Sequence, residues 1–486
     1  MKIQTTRLAG AASLLGLTLA LSACGLPDLG ARPQMRAPAT LESAQTFAGA
    51  DAAATWPQED WWKAYGDPQL DALVAEALAG SPDVVAAQGR VRQARGAAEI
   101  AGADTLPQIG AQGSAGLTKQ SYNNGIPANF VPKGWKSTGD LALTGDFDLD
   151  LWGRRRKLLA AATSEAQAAR ADASQARLIL ASNVVSSYFD LARLIERDKA
   201  LEEAVKSRES LGTLTRRRAE QGLENQSPVR QTQAETLRAK IALSANREQI
   251  AARRHALAVL LGAGPDRGLA IQPATLTQLP ETALPADAGI ALAGRRPDIV
   301  AARLRAEGAG QRIDIARTAY LPDISLSGLI GLQSLGLSNL FKSGSDYGNA
   351  AGAFSLPIFD GGRIRGEYRQ ARGGFDLAVA DYNATVIDAL REIADALASR
   401  EAARAQERDS AQARGEADAA YDLATKRYDA GLSNFIEALS AQQLAIESRQ
   451  AEIDAHFRTL AAEVALKRAL GGGFAETTNE KVATDE

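Results

Sequence analysis

The chain contains itself twice. SPDVVAAQGRVRQARGAAEIAGADTLPQI, beginning at Ser81, returns as RPDIVAARLRAEGAGQRIDIARTAYLPDI at Arg296, 215 residues later. RAEQGL from Arg218 returns as RYDAGL from Arg427, and LGAG from Leu261 returns as LGGG from Leu470, both 209 residues later. FDLDLWGRRR at Phe147 and FSLPIFDGGRIR at Phe354 supply a fourth matching pair. Four landmarks in one order imply a tandem duplication, so whatever one half folds into, the other must fold into as well. The expected division is 24–80 as an N-terminal segment, 81–264 as the first repeat and 265–295 as a linker. The second repeat follows at 296–473, and a polar tail at 474–486 ends the chain. The linker and its approach are marked by Pro265, Pro273, Pro280 and Pro285.

Each repeat reads in the same sequence of elements. A helix from about Pro82 to Asp104 carries proline in its first turn and is stopped by Leu106 and Pro107. Two alternating stretches follow. In the first, Ile109, Ala111, Ala115 and Leu117 face one side while Gln108, Gln112, Ser114 and Thr118 face the other. The second runs from Leu141 and sets Phe147, Leu149 and Leu151 against Asp146, Asp148 and Asp150. Between them SYNNGIPANFVPKG reads as an exposed loop. In the second half Ile324, Leu326 and Ile330 oppose Asp323, Ser325 and Ser327, and Phe354, Leu356 and Ile358 end a fourth stretch.

After each strand pair the period changes. Gly153 to Gln221 lacks proline and has little glycine, so one helix of about 65 residues would reach about 100 Å. Gly222 breaks it, Ser227 and Pro228 read as an N-cap and first-turn residue, and a return helix runs to Leu261. The second repeat predicts a helix from about Arg363 to Asp429, a break at Gly431 and a return helix from about Asn434 to Leu470. Composition agrees, with 45% apolar but only 5% aromatic residues. The Ala-rich runs fit either close helix approach in a curved wall or plain helix propensity.

Strands with one apolar and one polar face suit a barrel with lipid outside and water inside, or a soluble sheet with one wet face. The N-terminus favours the first. Lys2 and Arg7 precede an apolar run from Leu8 to Leu21, and LSAC resembles the lipobox of bacterial lipoproteins, in which cleavage precedes an acylated cysteine. Residues 1–23 are thus expected to be a lipoprotein signal peptide. Cys24 is the only cysteine and the expected lipid-bearing residue. Gly25 after it fits outer-membrane sorting, and loss of Lys2 and Arg7 takes the formal net charge from −3 to about −5. No later segment offers the roughly 20 uninterrupted apolar residues of a spanning helix, so any span must be built of strands. Four strands cannot close a barrel, and an open edge in lipid leaves backbone groups unpaired. Three copies would give twelve strands, with Asp146, Asp148 and Asp150 lining a wet lumen.

WPQEDWWKAYGDPQLDALVAEAL, SPDVVAAQGRVRQAR, FDLDLWGRRR, RRPDIVAARLRAEGAGQRIDIARTAYLPDISLSG and LPIFDGGRIR together resemble the TolC-like superfamily, in its OprM or NodT type of outer-membrane efflux lipoprotein. The resemblance covers nearly all of the mature chain. It implies an α+β fold: a homotrimer with a 12-stranded outer-membrane β-barrel continued by a periplasmic α-helical barrel. It also implies a periplasmic adaptor and an inner-membrane pump, usually proton-driven and of the resistance-nodulation-division class, with export of drugs and other toxic small molecules.

The resemblance further implies a periplasmic aperture where the helical hairpins turn, closed by acidic residues and by links involving a tyrosine and an arginine. Residue by residue, RYDAGLSNFIEALSAQ puts the tyrosine at Tyr428 and one acid at Glu437. Ser433 stands in the arginine's place and Ser440 in the second acid's, so the lock is expected to be weaker or differently built. Glu437 also reads as an ordinary solvated helix charge. Gly222, Leu223, Gly431 and Leu432 form the hairpin tips, which by analogy dock the adaptor and as plain chemistry are helix C-caps.

Enzyme readings find no footing. His255 and His456 are the only histidines, both in helical stretches, and no nucleophile and base pair or metal cluster is apparent. LGAGPDRG lacks the strand-to-helix context of a phosphate loop. No cofactor is expected apart from the covalent lipid. A net charge near zero and the lack of basic, aromatic-interleaved patches argue against nucleic acid. Type I protein secretion and metal-ion efflux are the alternatives within the class. A lipid-anchored periplasmic coiled-coil spacer or adaptor without a pore is the alternative outside it.

Overall fold

A computed structural model describes residues 27–275 and 281–476. The signal peptide, Cys24, Pro280 and most of the polar tail lie outside the described residues. In chain order the elements are α1 (Pro68–Gly80), α2 (Pro82–Ala103), β1 (Gln108–Thr118), β2 (Lys136–Asp148), α3 (Arg154–Glu220) and α4 (Gln226–Leu260). The linker holds α5 (Pro265–Leu269) and α6 (Ala288–Arg295). The second repeat then supplies α7 (Pro297–Thr318), β3 (Asp323–Leu335), β4 (Asp346–Ser355), α8 (Arg363–Asp429) and α9 (Phe435–Ala469). The duplication is metrical: α3 and α8 have 67 residues each, and α4 and α9 have 35 each.

The chain forms two compact units. Of the described residues, the first gathers 27–35, 91–168 and 302–381. Its centre is an antiparallel sheet of order β1-β2-β3-β4. Residues directly opposite in such a ladder share a face, so register sorts the side chains. Ala111, Leu143, Ile330 and Gly348 form one row across all four strands, and Phe147 and Leu326 extend the same apolar face. Gln108, Asp146, Ser327 and Ala351 form a row on the opposite face. On that polar face the Tyr347 hydroxyl donates to Asp140 Oδ2 at 2.6 Å. Ile109, Leu117, Leu143, Ile330 and Phe354 are all exposed in the single chain, and among the described residues no strand lies beside the outer edges of β1 and β4.

β2 ends at Asp148, three residues before the alternation in the sequence does at Leu151. The Asp150 carboxylate instead accepts from the amides of Arg155 (3.0 Å) and Arg156 (3.1 Å), leading the chain into α3. Asp150 is therefore a helix cap and not a third strand acid: the first amides of a helix lack internal partners, and a nearby carboxylate supplies one. Beneath the sheet Ile313, Ala316 and Tyr368 pack together. Gly308 of α7 lies so near α3 that a Cβ on it would meet the Ala161 carbonyl at 3.4 Å, so here small residues do permit close helix approach.

Of the described residues, the second unit gathers 36–90, 169–275, 281–301 and 382–476. Its main core joins Trp61 and Tyr65, Leu70 to Ala77 of α1, Leu180 to Ala192 of α3, Leu257 and Leu261, and Phe457 to Val464 of α9. One 18-residue window of α3 is apolar enough by composition to cross a membrane, yet 61% of it is buried inside the protein. Its apolarity serves this core. Asp67, buried at the start of α1, accepts from Gln69 and Leu70 amides, from the Thr275 amide at 3.0 Å and from the Tyr188 hydroxyl at 2.7 Å.

Candidate functional site

Both helical hairpins turn by the same device, and their tips meet. Leu223 N–H donates to the Arg218 carbonyl at 2.9 Å, and Leu432 N–H to the Arg427 carbonyl at 2.8 Å. Gly222 and Gly431 each take φ 75°, a left-handed conformation that closes a Schellman turn without a Cβ penalty. Asn434 then caps α9 through the Glu437 amide at 2.9 Å. Asn225, and not Ser227, caps α4, accepting from the Ser227 amide at 2.8 Å. The expected cap lay two residues late because a serine before proline carries the same signature as an asparagine three residues ahead of it. Leu223 and Leu432 project from the two turns, 62% and 71% exposed.

Between the tips lies a half-buried charged cluster. Tyr428 is fully buried beside Leu211, Phe435 and Ala438. The Arg218 guanidinium carbon stands 4.7 Å from its ring centre, and Arg218 Nη1 donates to the Tyr428 carbonyl at 2.9 Å. The Tyr428 hydroxyl reaches Glu224 Oε1 at 3.4 Å, and Arg218 Nε lies 3.9 Å from the same oxygen. Burial, with the Glu224 charge behind it, pushes the Tyr428 phenol up to about 12. Farther along the hairpins the buried Arg208 is held by the amide oxygens of Gln442 (2.8 Å) and Gln443. Burial lowers its pKa from the ordinary arginine value.

The structure thus unites Tyr428 with residues that sequence reasoning passed over, Arg218 and Glu224. Repeat alignment held a signal for both: at the 209-residue offset Arg218 matches Arg427, and Glu224 matches Ser433. At these two positions the first tip carries a cation and an anion, the second a cation and a serine. Glu437 is not in the cluster. It stands exposed in the first turn of α9, with Arg427 Nε 3.9 Å away. Ser440 is likewise exposed, while the Ser433 hydroxyl is buried with no hydrogen-bond partner. Of the strand acids, Asp146 is exposed on the polar face and Asp148 is ion-paired to Arg155. Among the described residues no group of three or more His, Cys, Asp or Glu is placed to hold a metal.

The outer membrane efflux protein family model matches this chain at 73–263 and again at 291–472. The chain belongs to the outer membrane efflux protein family. The two matched segments cover the two halves that repeat in the sequence, each starting a few residues ahead of the repeat. The multidrug resistance outer membrane protein MdtP of Escherichia coli is 29% identical over 95% of this chain and 96% of its own length. The fusaric acid resistance protein FusA of Burkholderia cepacia is 35% identical over 69% of this chain, a match spanning 63% of that protein. Among solved structures, the outer membrane protein VceC of Vibrio cholerae is 37% identical with a TM-score of 0.81, covering 86% of this chain and all of that one. The fold is that of the TolC-like channels, and this efflux protein is an outer-membrane channel. A spacer without a pore is set aside, since such a protein has no use for the two-faced sheet.

Proposed function

We propose that this efflux protein works as a passive homotrimeric duct, its three four-stranded sheets joining as one twelve-stranded barrel in the outer membrane. One observation carries the reading: the sheet has a lipid-compatible face and a wet face, yet among the described residues both of its edges lack partners. In lipid each unpaired backbone group costs several kcal/mol, so a lone copy is not viable there, and neighbouring copies supply the missing strands. The polar row with Asp146 then lines the lumen. The helical hairpins extend into the periplasm, and their tips, with exposed Leu223 and Leu432, receive a periplasmic adaptor. An inner-membrane pump, of the proton-driven resistance-nodulation-division type, supplies the transport energy. The cargo is drugs and other toxic small molecules, in keeping with the multidrug resistance of the MdtP relative.

The cluster of Arg218, Tyr428 and Glu224 holds the two tips of one protomer together and so sets the resting aperture. Glu437, displayed three times around the pore, adds cation preference. Acyl chains on Cys24 anchor the N-terminus. No enzymatic step and no cofactor beyond that lipid enters the scheme. Chemical cross-linking in detergent and planar-bilayer recording test it together: a ladder ending at three copies with discrete conductance steps is expected, and a non-conducting monomer would end the duct reading.

A further inference from the structure

Three arginines are buried among the described residues, and two of them meet carboxylates: Arg296 has Asp298 and Glu392, and Arg372 has Asp376. Arg208, on α3 and 4% exposed, is held by neutral groups alone. Its guanidinium forks onto consecutive residues of α9, Nη1 donating to Gln442 Oε1 at 2.8 Å and Nη2 to Gln443 Oε1. Gln442 is wholly buried, and its own amide nitrogen donates to Ser207 Oγ of α3 at 2.8 Å and to the Tyr421 hydroxyl of α8 at 3.0 Å. Those two hydroxyls lie 3.0 Å from each other. One closed polar layer thus ties the first hairpin to both helices of the second.

Such a layer is a poor source of stability, since a desolvated guanidinium held by neutral oxygens does little that well-packed apolar side chains would not do as well. What it supplies is a single geometry. Arg208 stands ten residues before Arg218 on α3, about 15 Å along the helix. Between them Leu211 and Leu214 pack on Phe435, Ala438 and Leu439, and apolar attraction has no direction with which to oppose a slide of one helical step. The polar layer does oppose it. One turn toward the tip, Arg208 would face Ala438 and Leu439, which offer no side-chain acceptor, and a slide in either direction would take the guanidinium and Ser207 away from the buried Gln442. The return helix α4 follows α3, because the hydroxyls of Thr215 and Thr232 join the two at 3.3 Å.

We propose that Arg208 and Gln442 are positioning residues: their layer sets the axial register of the first hairpin against the second and so places Arg218 over the ring of Tyr428. The tip contact is then the dependent one, since a cation over an aromatic face at 4.7 Å would itself accept several registers. The bearing of the layer on transport rests on the reading of the tip cluster as the resting aperture.

The test uses the full-length protein in neutral detergent, with urea unfolding midpoints measured for R218A in several backgrounds. R218A lowers the midpoint of the wild type. R208M/Q442L makes the layer apolar and leaves Ser207 and Tyr421 to each other, so its midpoint is at or above that of the wild type. In this background R218A lowers the midpoint no further, because Arg218 no longer stands on Tyr428. R208K keeps the charge but not the fork, and leaves R218A with about half its effect; it decides the matter if R208M/Q442L does not fold. Q442E, which keeps an acceptor for Arg208 in the same place, leaves R218A with its full effect. An equal lowering by R218A in the wild type, R208M/Q442L and R208K overturns the proposal. Planar-bilayer recording is scored separately. R208M/Q442L rests open roughly tenfold more of the time, as R218A does, and the two changes together add nothing to either alone. Additive opening would also overturn the placement of Arg218 by the layer. Midpoints as stated, with wild-type records in every variant, would count against the tip cluster as the aperture and leave the register role standing.

Discussion

Arg218 and Tyr428 lie 210 positions apart in sequence, and the guanidinium of one covers the aromatic face of the other at 4.7 Å. That contact ties the first hairpin tip to the second inside a single copy, where the tyrosine's expected partner position holds Ser433.

Arg218→Ala should therefore loosen the tips. Removing a partly desolvated cation–π contact costs about 1–2 kcal/mol, and in bilayers the variant is expected to show larger and more frequent openings than the parent. Arg218→Lys, which keeps charge but loses the planar fork, should fall between them. Identical single-channel records for all three would show that the cluster does not set the aperture.

Glu437→Gln leaves its backbone cap to Asn434 intact, so folding should be nearly unchanged, within about 0.5 kcal/mol. Reversal potentials in a salt gradient should shift toward lower cation preference. An unshifted reversal potential would return Glu437 to the role of an ordinary solvated charge.

Lys467 supplies a pH test. Its ammonium is buried over the rings of Tyr65 (4.6 Å) and Trp61 (5.6 Å), and burial pulls its pKa down to about 8, against a modest opposing pull from Glu463. The folded pKa lies below the unfolded value, so the unfolded chain binds the extra proton between those limits. The charged lysine accordingly destabilises the fold in full below pH 8, a penalty that fades as pH rises toward the unfolded pKa of about 10.5. Lys467→Met should stabilise by about 2–3 kcal/mol at pH 7, with the advantage shrinking steadily above pH 8. Parallel urea unfolding series of the two proteins give the comparison, and a gap that widens with pH would refute it.

Asp67→Ala strips four hydrogen bonds from a buried position and leaves the Tyr188 hydroxyl without its acceptor. A loss of about 3 kcal/mol is expected. Tyr188→Phe removes one bond of the four and should cost about 1 kcal/mol. Denaturant midpoints decide between this ranking and its inverse.

Much of the fold could be read from residue order because its signals are periodic. A spacing of two betrayed the strands, a turn glycine marked each hairpin, and self-similarity fixed the number of halves. Asp150 defeated the reading because alternation and capping use the same residue type, and only the run of four cations after Gly153 hinted at a helix start. Arg218 and Glu224 were illegible for a different reason: their meaning is a through-space meeting with Tyr428 that no local pattern records. Glu437 was legible as a position but not as a contact, since a motif gives an address and not a neighbour.

The paired lengths of 67 and 35 residues in the two hairpins act as a ruler. Each extra helical residue advances its tip by about 1.5 Å and swings it by 100°. A single insertion in α3 without its twin in α8 would carry Arg218 past Tyr428, however conservative the inserted residue. The two halves can thus drift far apart in spelling while remaining bound to agree in count.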